Sequence, residues 1–119
     1  MSNRTLVKGL AGLRIAYAAG LLAAPGRVAS PWIGAAARDA GGAVAVRGLA
    51  GRDAALAFGM LLPGSPRPWL VACALCDAVD VGATLLADSG PLPPRAKLAT
   101  VLVAGGSGLA AALLAAQAA

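Results

Sequence analysis

No histidine occurs among the 119 residues of this chain. That absence removes Ser-His-Asp triads, His-ligated haem and most catalytic zinc sites. Cysteine is nearly missing as well, since Cys73 and Cys76 are the only two. A Cys-x-x-Cys pair becomes a redox centre when a helix start or a neighbouring cation activates one thiol. It becomes half of a zinc site when a second ligand pair exists elsewhere. Neither condition is visible in the sequence, so the pair reads as small buried apolar residues, and no metal or cofactor is expected. No glycine-rich loop follows a strand either: "GGSG" at Gly105–Gly108 lies inside an apolar run and lacks the Lys and Ser/Thr of a nucleotide loop. Aromatics make up 3% of the chain and charged residues 13%. The ten Lys and Arg residues fall singly, without a basic run or interleaved aromatics, so the net charge of +5 does not describe a nucleic-acid surface.

Apolar residues fill the chain instead. They make up 59% of it, against about 45–50% in ordinary soluble domains, and the mean hydropathy is +0.77. A small core cannot hide that much apolar surface, so lipid must cover the remainder. The eight prolines fall in three clusters, and the apolar stretches between them run over about 5–24, 42–62, 69–87 and 95–117. Each has the roughly 20 residues that a helix needs to cross a hydrocarbon layer of about 30 Å. The expected fold is therefore all-α: one integral membrane domain over 1–119, a four-transmembrane-helix bundle with both termini on one side. Because proline ends helices, "PGSPRP" and "SGPLPP" read as short hairpin loops. The longer "PWIGAAARDAGG" has room for a short interfacial helix, and Trp32 and Trp69 are placed at opposite interfaces. Arg14 interrupts the apolar run that a cleaved signal peptide requires. Basic residues near the span ends divide almost evenly, so they assign no orientation.

The spans carry charges that need partners. Arg14 lies in the first, Arg47, Arg52 and Asp53 in the second, and Asp77 and Asp80 in the third. A charge near the bilayer centre costs about 2.5–3.5 kcal/mol unless it faces protein or water. Three arginines balance three aspartates, so Arg14, Arg47, Arg52, Asp53, Asp77 and Asp80 are expected to form one network, the alternative being that Arg47 reaches water at an interface and leaves one negative charge in excess for a partner or a proton. At 100° per residue, Cys73, Cys76, Asp77, Asp80 and Thr84 share a face about 100° wide, with Leu75, Val79 and Leu86 opposite. Arg52 and Asp53 point about 100° apart, so one is expected to face a different neighbour from the other, or a partner subunit. Two ridges of small residues, Gly12-Ala16-Gly20-Ala24 and Ala104-Gly108-Ala112-Ala116, are expected to let the first and last helices approach their neighbours closely, and "AGGSG" at the centre of the last span either joins that packing or leaves space beside the network for side chains, water or a ligand.

"RGLAGRDAALAFG" (Arg47 to Gly59), followed one span later by "DAVD" (Asp77 to Asp80), resembles small bacterial four-span membrane proteins grouped as domain of unknown function 4267. The resemblance extends from about Arg14 onward by the span map. It implies the same topology and importance for Arg47, Arg52, Asp53 and Asp80, and it brings no activity with it. The cysteines are not part of the pattern.

Three classes of function fit these residues. The first is a structural or accessory protein whose network fixes helix register and pairs with membrane lipids, a second copy or another membrane protein. The second is a proton-linked carrier or ion pathway using Asp77 and Asp80, which with only four spans implies a dimer. The third is a membrane-embedded enzyme on a lipid or isoprenoid, with Asp77, Asp80 or Asp53 as the acid and an arginine as partner. The expected location is a bacterial cytoplasmic membrane.

Overall fold

Proline and glycine punctuate the chain where its helices stop. The computed structural model describes residues 1–118, in which all the regular structure is helical and there is no strand. Helix α1 spans Asn3–Ala23, starting at Ser2, whose hydroxyl accepts from the Thr5 amide at 3.2 Å. Helix α2, Pro25–Ile33, begins with a proline whose missing N–H costs nothing in a first turn, and a 3-10 turn follows over Gly34–Arg38. This short helix thus starts earlier than the stretch from Pro31 onward suggested. Helices α3, Ala40–Leu61, and α4, Arg67–Leu86, form a hairpin, and Pro68 lies inside the first turn of α4. Helix α5 runs over Ala96–Gln117 and contains one π-turn at Val101–Gly105.

Three of these helices, α1, α4 and α5, are long and apolar enough to cross a membrane. Helix α3 has the same reach, about 33 Å at 1.5 Å per residue, and it carries Arg47, Arg52 and Asp53. Asn3, Arg4, Gln117 and Ala118 line one cavity, so both ends of the described chain lie together, beside the α3–α4 turn. At the opposite end α2 makes a roof. Gly34 adopts φ +65° there, and any side chain would crowd the Pro91 carbonyl in the α4–α5 loop.

The buried positions follow one rule. In α1 they are Val7, Ala11, Arg14, Ala18 and Leu21. In α3 they include Val46, Ala50, Asp53, Ala57 and Met60, and in α4 Leu70, Cys73, Asp77 and Thr84, with half-buried Asp80 completing the series. Steps of three and four alternate in each, which is the spacing of knobs-into-holes packing at shallow crossing angles. Outside these stripes large apolar side chains stand exposed, among them Leu75, Val79 and Leu86 on the α4 face opposite the polar seam. Soluble monomers rarely expose apolar side chains in such number, and surfaces of this kind mark contact with a membrane or another protein.

The small-residue ridges behave differently from expectation. Gly12 and Ala16 are exposed, as are Ala112 and Ala116. A strict four-residue repeat drifts about 40° per step around a helix of 3.6 residues per turn, so it leaves the contact face within two or three steps. The stripe of α5 instead takes intervals of four through Ala96, Thr100, Ala104 and Gly108, where the π-turn absorbs the extra residue, and then steps to Ala111 and Ala115.

In the α3–α4 hairpin the Trp69 ring packs directly against Gly59, where an added Cβ would collide with it. Gly59→Ala is expected to lower stability by about 1–3 kcal/mol through this overpacking. Thermal unfolding in detergent measures the loss, and adding Trp69→Ala should relieve the clash.

Candidate functional site

Arg14, Asp53 and Asp77 each occupy the middle of a buried stripe on a different helix, so bundle packing brings them to one level. The Arg14 guanidinium faces Asp77 as a fork, Nη1 to Oδ2 at 2.8 Å and Nη2 to Oδ1 at 2.9 Å. The same Nη1 donates to Ser107 Oγ at 2.6 Å, and Nη2 reaches Asp53 Oδ1 at 3.3 Å. One side chain thus ties α1 to α3, α4 and α5. Its Nε, by contrast, is buried with no hydrogen-bond partner. A second fork lies alongside: Arg52 Nη1 and Nη2 donate to Asp80 Oδ1 and Oδ2 at 3.2 and 2.7 Å. Arg52 also returns to its own helix, with Nε and Nη2 at 3.2 and 3.0 Å from Asp53 Oδ1. Bidentate guanidinium–carboxylate pairs are among the strongest and most directional side-chain contacts available.

Five of the six expected network residues meet here, and Arg47 does not. Arg47 is exposed on α3 and donates from Nε to the Leu22 carbonyl at 3.2 Å, one of the last carbonyls of α1. Those terminal carbonyls have no intrahelical donor, and an arginine near the end of a span reaches them while keeping its head in a polar layer. Arg52 and Asp53 do meet different neighbours, Asp80 on α4 and Arg14 on α1, but they also pair with each other. The Cα directions diverge, but the long arginine side chain curls back and brings its head to both Asp53 and Asp80. Cys73 is sealed in an apolar cluster with Val7, Ala11, Ala57, Met60 and Leu70, as a packing residue would be.

Above the charged layer the bundle opens. Helices α1 and α5 touch only sparsely, and between them lies a cleft of about 640 Å³. Its floor is Arg14, Asp53, Asp77, Asp80 and Ser107. Its walls are apolar, with Leu10, Leu13 and Tyr17 from α1 and Val103 and Ala104 from α5. Leu13 and Val103 are largely exposed, which puts the mouth on the apolar flank of the bundle. Trp32 roofs the cleft and donates from Nε1 to Thr84 Oγ1 at 3.0 Å, and Thr84 donates to the Asp80 carbonyl at 2.8 Å. Searches against family models, curated proteins and solved structures find no match. The chemistry of the site is therefore read from its own geometry. On the far side of the charged layer the apolar cluster around Leu70 and Cys73 fills the bundle as far as the second cavity at the termini.

Ser107, Tyr17 and the Trp32–Thr84 contact were not among the expected site residues. Ser107 had a signal, because "GGSG" is the polar midpoint of the last span. Trp32 had none, because its place depends on how α2 folds back.

Removing the Asp77 carboxylate leaves the Arg14 guanidinium buried with the Ser107 hydroxyl and, for counter-charge, only a shared oxygen of Asp53. Asp77→Asn is expected to cost about 3–5 kcal/mol, as breaking a buried pair does. The double change Arg14→Gln with Asp77→Asn should cost less than the sum of the two single changes. A double-mutant cycle on detergent-solubilised protein measures that coupling, and strict additivity would show that the fork is not a paired unit.

Proposed function

We propose that this chain is an integral membrane protein with four membrane-crossing helices, whose cleft binds an amphiphilic molecule drawn from the surrounding lipid. The observation that carries the reading is a charged floor beneath apolar walls, in a cavity that opens on the bundle's apolar flank. A volume of about 640 Å³ lies within the range of about 300–1,000 Å³ usual for small-molecule sites. The polar head of the occupant rests on the network, and its apolar part lies between α1 and α5.

The fourth crossing is α3. Its length matches the other three helices, and its charges turn away from lipid: Arg52 and Asp53 into the network, Arg47 toward the end of α1. Trp32 and Trp69 sit near opposite ends of the bundle, where indole rings favour the two interfaces. In this reading the membrane is the cytoplasmic membrane of a bacterium, and the stretch from Arg47 to Gly59 makes the chain a relative of the four-span family it resembles.

The other two roles receive less support. A proton or ion path needs polar groups through the full bundle, and the half between the network and the termini is apolar core. A general acid must turn a carboxyl oxygen toward its substrate, whereas Asp77 and Asp80 each have both oxygens taken up by a two-pronged guanidinium. A network that only fixes register would account for the forks and leave the cleft without a purpose.

The protein is expected to stay in washed membranes and to need detergent for extraction. Native mass spectrometry of the nonionic-detergent extract should find one lipid-like adduct per chain. Ala104→Phe, which fills the cleft from α5 without touching the network, should lose that adduct and melt within a few degrees of the parent. Recovery without detergent would overturn the membrane assignment. An adduct that survives Ala104→Phe would place the bound molecule elsewhere.

A further inference from the structure

The charges at the floor of the cleft do not balance. With Arg47 drawn away to Leu22, two arginines face three aspartates, and one negative charge is left over. The geometry locates it. Asp77 and Asp80 each present both oxygens to one guanidinium. Asp53 uses a single oxygen, Oδ1, for all three of its contacts, and among the described residues Oδ2 receives no hydrogen bond. Asp53 is 8% exposed and lines the cleft. A buried carboxylate with a free oxygen is costly until a donor or a cation meets it.

We infer that the cleft takes an amphiphile with a cationic headgroup, a single ammonium seated against Asp53 Oδ2 with its apolar chain leaving between α1 and α5. This rests on the cleft being a binding site, and it names the class of occupant. Two further features favour a cation. Tyr17 and Trp32, two of the four aromatic residues in the chain, line this cleft, and aromatic rings attract ammonium groups within about 6 Å. An anionic head finds no cation within reach: both terminal nitrogens of Arg14 are committed to carboxylates and Ser107, its partnerless Nε is sealed from the surface, and Arg52 does not line the cleft. A phosphate placed there would meet aspartate oxygens. The ammonium supplies the missing positive charge and donates a hydrogen bond to the one carboxylate oxygen that lacks a donor.

The test compares three probes of equal chain length, namely dodecylamine (cationic at pH 7), dodecanol and dodecyl phosphate. Each is titrated into the protein in nonionic detergent while melting temperature and indole fluorescence are followed, with Trp69→Phe leaving Trp32 as the sole indole. Dodecylamine is expected to bind at least about tenfold more tightly than dodecanol. Asp53→Asn should remove that preference while keeping dodecanol affinity, because Asn retains an acceptor for Arg14 and Arg52 and leaves two arginines matched with two aspartates. Equal binding of amine and alcohol, or a preference that survives Asp53→Asn, overturns the cationic headgroup and leaves the cleft as a lipid site. Tighter binding of dodecyl phosphate overturns it as well. If no probe binds, the cleft is not a site for amphiphiles and both readings fall. If Asp53→Asn does not fold, the ranking on the parent decides, with a lead for the amine supporting the inference and parity ending it.

Discussion

The fork between Arg14 and Asp77 organises this bundle. Between helices in lipid there is no hydrophobic force of the kind that folds soluble bundles, because the hydrocarbon outside is as apolar as leucine. What remains is close packing and interhelical polar contacts. The stripes here consist largely of alanine, glycine and valine, which pack closely but discriminate poorly between registers. Sliding α1 by one heptad past α4 would still place small residues against small residues. It would also carry the guanidinium to the level now held by Val7 or Leu21, inside one of the two apolar clusters, and a misplaced charge in that environment outweighs any packing difference. One charged layer therefore selects the register of four helices.

The same layer accounts for the opening beside it. Gly108 lies so near Asp77 that an added Cβ would sit 2.9 Å from the aspartate Cβ, and this contact holds α5 against α4. With α5 held there, Ser107 reaches Arg14 through its hydroxyl, and the two backbones need not close together. The π-turn at Val101–Gly105 lies immediately above, one of the local helix distortions that recur at functional sites. Together these features draw α5 toward α4 and away from α1, and the gap that results is the cleft. Trp32 closes its roof through Thr84, whose hydroxyl leads back to Asp80 on the same helix.

Much of this was legible in the sequence because it follows from composition and helical period. The four long helices lie within a few residues of the proline-bounded spans, and the polar seam of α4 appears on the face that 100° per residue assigns to it. Charge balance was a weaker guide. It counted Arg47 with the network and kept its reach to an interface as the alternative, and the structure takes Arg47 to a terminal carbonyl of α1. The divergent Cα directions of Arg52 and Asp53 separated their outer partners, Asp80 and Arg14, but hid the contact between the two, which the reach of the arginine makes. The ridges of α1 and α5 held only in part, at Gly20 and Gly108, because a strict repeat of four drifts around an α-helix. Space beside the network was signalled by the small residues of "AGGSG", but the shape of the cleft was not, because it depends on a sparse α1–α5 contact and the fold-back of α2.

Asp53 marks where architecture and function part. For register alone, two arginines and two aspartates in two forks would suffice, and each helix would keep its place. A third carboxylate adds desolvation cost and contributes contacts through only one oxygen. Arg14 Nε carries a similar cost, buried without a partner so that both terminal nitrogens can reach across to α3, α4 and α5. Groups that cost stability and add nothing to packing gather where a protein does its work, since a site must present unsatisfied chemistry to whatever it binds. In this bundle the costs lie on two residues of one layer, at the floor of the cleft. The imbalance that a purely structural network would have removed is the feature that gives the cleft a sign.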